Sequence, residues 1–247
     1  IRHLLEHTSG IGNLAGNDPA YYDPEKSSAE LVAMMRAVNI NRPVGSRYEY
    51  SNLNYIILGE IIARISGMAY PDYVQTHIYD PLDMKNSYVS QEQAMLSGMS
   101  SGYRYYFGIP VDVTVPYPAA QLSAGFHIST ADDMAHYLIA FANHGQYGER
   151  SIIYRDGREP TSAAAVNYTA EWMDFAEGGK SGNTERYNGA WLNYSAGMVY
   201  MPFDHIGVVV LANSNPSQWL PVKSAGDIAF DVLRLYTGNP PDSSKPA

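Results

Sequence analysis

The chain has 247 residues, 45% of them apolar and 17% charged, a composition that excludes a disordered or membrane-embedded protein and allows one large domain or two interwoven lobes. Its formal net charge of −9, with no run of lysines and arginines, excludes the electrostatic footprint of a nucleic-acid binder. Cysteine is absent, which rules out disulfides, thiolate chemistry and cysteine-ligated zinc and is neutral about compartment.

From the N-terminus, "IRHLLEHTSG" predicts a short helix carrying Leu4 and Leu5 and ending near Gly10. "SSAELVAMMRAV" puts Leu31, Met34 and Met35 at helical spacing behind Ser27 or Ser28 as caps. "NRPVGSRYEY" is a turn-rich approach to a long apolar helix. That helix is expected to bury Ile57, Leu58, Ile61, Ile62 and Ile65 and to stop at Gly67. A further helix follows over "YPDYVQTHIY", with Pro71 in its first turn, before a "DPLDM" turn at 80–84.

Residues 98–125, rich in Gly, Tyr and Pro, read as an irregular segment. Its Tyr103, Tyr105, Tyr106 and Tyr117 suit either a pocket wall or ordinary partly buried packing. "STADDMAHYLIAFANHG" is a helix with Thr130 and Asp133 as a capping pair and Gly145 past its end. Beyond residue 160 the pattern turns to strands: "NYTAEWMDF", "ERYNGAWLN", "SAGMVYMP" and "IGVVVLANS", with a "FDHIG" turn before the last. A helix over about 221–236 closes the order. Helices first and an antiparallel run afterwards predict an α+β fold. Residues 1–128 form a mainly helical region and 129–236 the sheet half, with 237–247 as a Pro/Ser-rich tail.

Chemistry is not carried by the commonest motifs. The chain has no Walker loop, no GxGxxG and no GxSxG. His3 and His7 are four apart, but Glu6 is misplaced for HExxH, so the pair reads as structural. No metal or cofactor is expected. What stands out is "RYEYSNLN" at 47–54, a polar cluster at the start of an apolar helix. Ser51 or Asn52 can cap that helix, or Tyr50 and Asn52 can face a site.

Four stretches decide for the site: "RHLLEHTSG", "PVGSRYEYSNLNYIILGEII", "LSAGFHISTADDMAHYL" and "YNGAWLNYSAGMVYMP…IGVVVLANS", in this order. Together they resemble the serine β-lactamase-like hydrolases, which include class C β-lactamases, DD-carboxypeptidases and related esterases. The resemblance runs from Ile1 to about Tyr236. It implies a β-lactamase/transpeptidase-like fold, acyl-enzyme chemistry at a serine, and a small-molecule or peptide substrate. The family's Tyr-x-Asn motif corresponds to Tyr50-Ser51-Asn52. A phenol with a pKa of about 10 is a poor base, and a neighbouring ammonium makes it a usable proton relay. Asn52 carries both a donor and an acceptor, so it can hold a lysine and a substrate carbonyl together.

The family's Lys/His-x-Gly strand corresponds to Tyr187-Asn188-Gly189 as substrate-binding residues, with the N–H of Ala190 as half of the oxyanion hole. Tyr187 departs from the pattern. A phenol can hydrogen-bond a carboxylate but cannot pair with it as a cation does, which leaves esters and other amides more open than β-lactams. Glu171, in "NYTAEW", has no assigned role.

The family nucleophile lies in Ser-x-x-Lys, and the residues three before each lysine here are Asp23, Leu82, Glu177, Leu220 and Asp242. None is serine. The start inside a helix-like stretch and the "NPPDSSKPA" tail predict a segment of a longer protein, truncated before the nucleophile and inactive alone. "SGYRYYFGIPV" resembles a branch of the family whose members carry membrane helices after the hydrolase domain, so a C-terminal membrane tether and an extracytoplasmic location are expected. The contrasting expectation is a non-catalytic, penicillin-binding-protein-like module that binds a wall peptide or a protein. The site is expected where Tyr50 approaches Gly189 and Ala190.

Overall fold

The computed structural model describes residues 1–12, 23, 25–35, 40, 42–114, 117–143, 145–152, 184–201, 204–215 and 222–243. The strand expected over "NYTAEWMDF", with Glu171, lies outside the described residues. Two compact units emerge. The first comprises residues 1–80, 87–94 and 116–128, and the second 81–86, 95–115 and 129–247.

The first unit is helical: α1 (Arg2–Leu5), α2 (Ser28–Met34), α3 (Asn52–Ser66) and α4 (Tyr70–Val74), which runs on into a π-helical turn over Gln75–Tyr79. A 3₁₀ turn over Ala119–Ala124 closes it. The start of α2 is a full capping box. Ser27 Oγ accepts the Glu30 N–H, and the Glu30 carboxylate accepts the Ser27 N–H. Gly67 ends α3 in the left-handed region, φ 70°, as its lack of a Cβ permits.

The core of this unit joins Leu31 of α2 to Leu53 and Ile56 of α3 and to Ala120. The buried positions on α3 are therefore Leu53, Asn54, Ile56 and Gly59, whereas Ile57, Leu58, Ile61 and Ile62 are half-buried and Ile65 is exposed. This corrects the expected face. A helix apolar almost all round has no periodicity strong enough to choose a side, and the neighbours α2 and the 3₁₀ turn choose it instead.

Gly59 marks the closest approach. A Cβ there would fall 2.4 Å from the Cβ of Ser123, so Gly59→Ala is expected to destabilise the protein by ~2 kcal/mol in urea unfolding, as overpacking does. No change in the unfolding midpoint would show that α3 and the 3₁₀ turn can separate freely.

The second unit contains the antiparallel sheet β5 (Glu185–Trp191), β6 (Tyr194–Met201) and β7 (Ile206–Ala212), in that order, with β5 at one edge among the described residues. Side-chain alternation gives the sheet two apolar faces. On one, Met198, Tyr200 and Val209 meet Leu138, Phe141 and Ala142 of α6 (Ala131–Ala142). On the other, Val199, Val208 and Val210 meet Ala229, Phe230 and Leu233 of α7 (Ala225–Tyr236).

Thr130 caps α6 by accepting the Asp133 N–H. The Asp133 carboxylate turns away to accept the Asn86 N–H at 2.7 Å, so the pair is not reciprocal. That bond ties the segment after the "DPLDM" turn to α6. Short elements complete the unit: α5 (Gln91–Leu96), whose last residues join it, and the pair β3 (Gln146–Tyr147) with β4 (Arg150–Ser151).

The stretch expected to be irregular contains a hairpin, β1 (Tyr103–Tyr106) with β2 (Ile109–Asp112). Its turn residues Phe107 and Gly108 both have positive φ, 52° and 81°. The usual asparagine-glycine signal of such a turn is absent because a phenylalanine holds the first position. Tyr105 and Tyr106 on this hairpin are exposed, and Tyr117 belongs to the other unit, where its hydroxyl donates to the Phe126 carbonyl at 2.5 Å. The four tyrosines are thus divided between the two units.

The described part of the tail folds back on α7. Arg234 Nε donates to the Pro240 carbonyl at 2.7 Å, and the Asp242 N–H to Asp231 at 2.8 Å. Composition alone suggests a free linker at these residues, and α7 supplies the partners that hold them.

Candidate active site

Tyr50 and Asn52 meet at the start of α3. The Tyr50 hydroxyl donates to Asn52 Oδ1 at 2.7 Å, and Tyr50 is 48% exposed. The Asn52 oxygen keeps a second lone pair and its amide nitrogen two N–H donors, enough for a cation and a carbonyl together. Ser51, between them, occupies the N-cap position in extended geometry but makes no capping hydrogen bond. Its Oγ is fully buried and has no hydrogen-bond partner among the described residues. The capping role considered for Ser51 is therefore not the one it plays, because its hydroxyl points into the core.

What holds this helix start is a buried polar cluster that the sequence reading missed. His7 lies under it, 2% exposed. Its Nδ1 is 3.1 Å from the Ser51 N–H nitrogen and 3.1 Å from Asn54 Nδ2. Asn54 Oδ1 accepts from Ser9 Oγ at 2.7 Å, which fixes the amide with its nitrogen toward the histidine. Accepting at Nδ1 leaves the ring proton on Nε2. The ring is surrounded by Tyr50, Tyr55 and Tyr48, at centroid distances of 4.6, 5.2 and 5.7 Å.

The signal was legible as a mismatch. Asn54 sits one position past the first apolar residue of a helix otherwise built for burial, and a buried asparagine requires partners. The "HTSG" stretch supplies two of them. His3 has different company: its Nδ1 pairs with Thr8 Oγ1 at 2.8 Å. The two histidines thus bond to different neighbours, His3 to Thr8 and His7 to Ser51 and Asn54.

Burial pushes the His7 pKa down from 6.5 to about 4, because a charged imidazolium is poorly solvated there. The sign follows from linkage. The unfolded chain takes up a proton near pH 6.5 and the folded chain only near 4, so acid favours unfolding across that window. Between pH 7 and pH 5 this one group is expected to remove about 2 kcal/mol of stability. His7→Asn should abolish that part of the pH dependence in denaturant titrations. An unchanged slope would place the acid sensitivity elsewhere.

On β5, Tyr187, Asn188, Gly189 and Ala190 follow one another along the strand, at the edge of the sheet among the described residues. Alternation sends neighbouring side chains to opposite faces. The Tyr187 ring stands edge-on to Phe141 of α6, with centroids 6.2 Å apart. Asn188 lies over the first turn of α7, where a Cβ on Gly226 would collide with its Oδ1. Gly189 and Ala190 are exposed.

Among the described residues, the one heavy atom within 4 Å of a Cβ placed on Gly189 is the Ala196 Cβ, at 3.8 Å. Neither packing nor backbone conformation among the described residues demands glycine at this position. Tyr50 and Asn52 belong to the first unit and Tyr187 to Ala190 to the second. Among the described residues no cluster of three or more His, Asp or Glu side chains suits a metal, and no helix is long and apolar enough to cross a membrane.

The Beta-lactamase family profile matches residues 1–230. The protein flp of Staphylococcus aureus (strain MW2) is 24% identical over 228 residues, covering 90% of this chain and 44% of that protein. The octameric penicillin-binding protein homologue from Pyrococcus abyssi has a TM-score of 0.74 at 25% identity, covering 98% of this chain and 56% of that one. The D-amino acid amidase from Ochrobactrum anthropi SV3, complexed with L-phenylalanine amide, has the same fold, with a TM-score of 0.63 at 23% identity and coverage of 87% and 64%. The chain spans about half the length of the curated relatives it matches. The matched profile and the α+β architecture agree, and the chain belongs to the β-lactamase family with its serine-hydrolase fold.

Proposed function

We propose that this chain is part of a serine hydrolase whose nucleophile precedes Ile1 in the full-length protein. The substrate is an ester or amide opened through an acyl-enzyme. Tyr50 relays the proton, Asn52 orients the lysine partner and the substrate carbonyl, and the Ala190 N–H stabilises the oxyanion. The observation that carries this reading is the Tyr50–Asn52 hydrogen bond at an exposed helix start, with Tyr50 accessible to a substrate. The sparse surroundings of Gly189 among the described residues support it, since a glycine that they do not require suits the close approach of a substrate to the strand.

Tyr187 supports esters and simple amides over substrates bearing a carboxylate. Its ring is engaged with Phe141 and offers no positive charge. The same residue favours the second reading, a binding module without turnover. Members of the family such as β-lactamases typically work outside the cytoplasm, and we assign the parent protein there, with a membrane tether beyond the C-terminus as part of the same proposal.

The deciding experiment is labelling with a fluorophosphonate probe. The full-length protein is expected to take one equivalent on a serine that precedes Ile1, and residues 1–247 alone none. A stoichiometric adduct on a serine of this chain would mean that the nucleophile has been misassigned. An intact parent that neither labels nor turns over an ester would leave the binding module as the better reading.

A further inference from the structure

We infer that His7 is the positioning residue of the proton relay: it pins the chain on both sides of Tyr50 through two separate acceptors. This rests on the reading of Tyr50 given above. The backbone carbonyl of His7 accepts the Glu49 N–H at 2.8 Å, and its ring Nδ1 accepts the Ser51 N–H at 3.1 Å. Residues 49 and 51 are therefore fastened to one residue, with Tyr50 between them. The imidazole also forms the floor under the phenol, at 4.6 Å between centroids.

The ordinary device for fixing a helix start is not in use at α3, since Ser51 makes no capping bond. The acceptor present at this helix start takes the N–H of the N-cap residue Ser51 itself and belongs to a side chain 44 residues away in sequence. His7 is itself held from behind. Its Nδ1 faces the Asn54 amide, which Ser9 Oγ orients, and Ser9 Oγ in turn accepts the Ile11 N–H at 3.1 Å. Burial keeps the imidazole neutral, so Nδ1 remains an acceptor at neutral pH.

A chain of this kind sets the direction of the Tyr50 hydroxyl without touching a substrate. A displacement of about 1 Å in a proton-transfer group is enough to lower a rate 10²-fold. Removing the ring acceptor should consequently slow the chemical step and leave substrate binding nearly as it was.

The test uses the full-length protein with p-nitrophenyl acetate, rates being referred to the sites titrated by the fluorophosphonate. His7→Phe keeps an aromatic floor and loses the acceptor. His7→Asn puts Oδ1 close to the position of Nδ1 and loses the ring. The expected result is a kcat per titrated site at least ~10-fold lower in His7→Phe, with KM within about threefold of wild type. His7→Asn should recover most of that loss.

A merely structural histidine would lower the melting temperature and the titrated fraction, and leave kcat per site unchanged in both variants. That outcome, with Tyr50→Phe inactive, overturns the role of His7 and leaves the hydrolase reading intact. Should His7→Phe not fold, His7→Leu takes its place as the variant without an acceptor: a kcat per titrated site at least ~10-fold below that of His7→Asn supports the acceptor role, and equal kcat in the two overturns it. A wild type without labelling or turnover instead removes the hydrolase reading itself.

Discussion

Tyr50→Phe in the full-length protein is expected to lower kcat/KM for an ester by ~10²-fold or more while leaving stability within about 0.5 kcal/mol of wild type. The two halves of this expectation come from different parts of the side chain. The phenyl ring provides the contact with His7, and phenylalanine preserves it. The hydroxyl provides the hydrogen bond to Asn52 Oδ1, which phenylalanine cannot make. Tyr50 is 48% exposed and Asn52 half-buried, so water can take over the vacated lone pair and no buried group is stranded.

A rate loss without a stability loss is the signature of a group that moves a proton. Ester turnover and urea unfolding on the same preparation would measure both. Turnover equal to wild type would remove Tyr50 from the mechanism. Equal losses of turnover and stability would instead make it a packing residue.

Gly197→Ala is expected to have the opposite signature, a loss of about 3 kcal/mol in stability at the upper end of what overpacking costs. Gly197 lies in the middle of β6 on the side facing α7. A Cβ there would be 2.4 Å from the Gly226 Cα, 2.5 Å from the Gly226 nitrogen and 2.6 Å from the Ala225 carbonyl carbon. All three are backbone atoms, so no rotamer change can relieve the contact, and the first turn of α7 must lift from the sheet.

Lifting it would also loosen Val199, Ala229 and Leu233, all buried between strand and helix. The matched control is Gly189→Ala on the neighbouring strand, where a Cβ meets only the Ala196 methyl at ordinary contact distance among the described residues. That variant should unfold like wild type. A comparison of the two urea midpoints checks the claim, and equal stability of both would mean that α7 is not seated against Gly197.

Elements marked by local chemistry were legible in the sequence. Ser27 with Glu30, Thr130 before α6 and Gly67 after α3 are capping signals whose partners lie within four residues, so no tertiary information is needed to read them. The strands β5, β6 and β7 were legible for a similar reason, since short runs rich in apolar and aromatic residues between turn signals read as strands without tertiary information. The β1–β2 hairpin was not, because Phe107 stands where the turn normally carries a residue tolerant of positive φ. The buried side of α3 was not legible either. An almost uniformly apolar helix carries no internal information about which side has neighbours.

The same division holds for the site. The sequence by itself determined the family, the α+β order of elements and the residue types at Tyr50, Asn52 and Gly189, since these depend on short motifs and their succession. Only the tertiary structure decided that Ser51 turns its hydroxyl inward, that Asn188 lies over α7, and that His7 holds the chain on both sides of Tyr50. Each of these depends on a donor or an atom far away along the chain. Hydrogen-bond partners separated by 44 residues leave no periodicity in a sequence, and they are found only once folding has brought them within 3.1 Å.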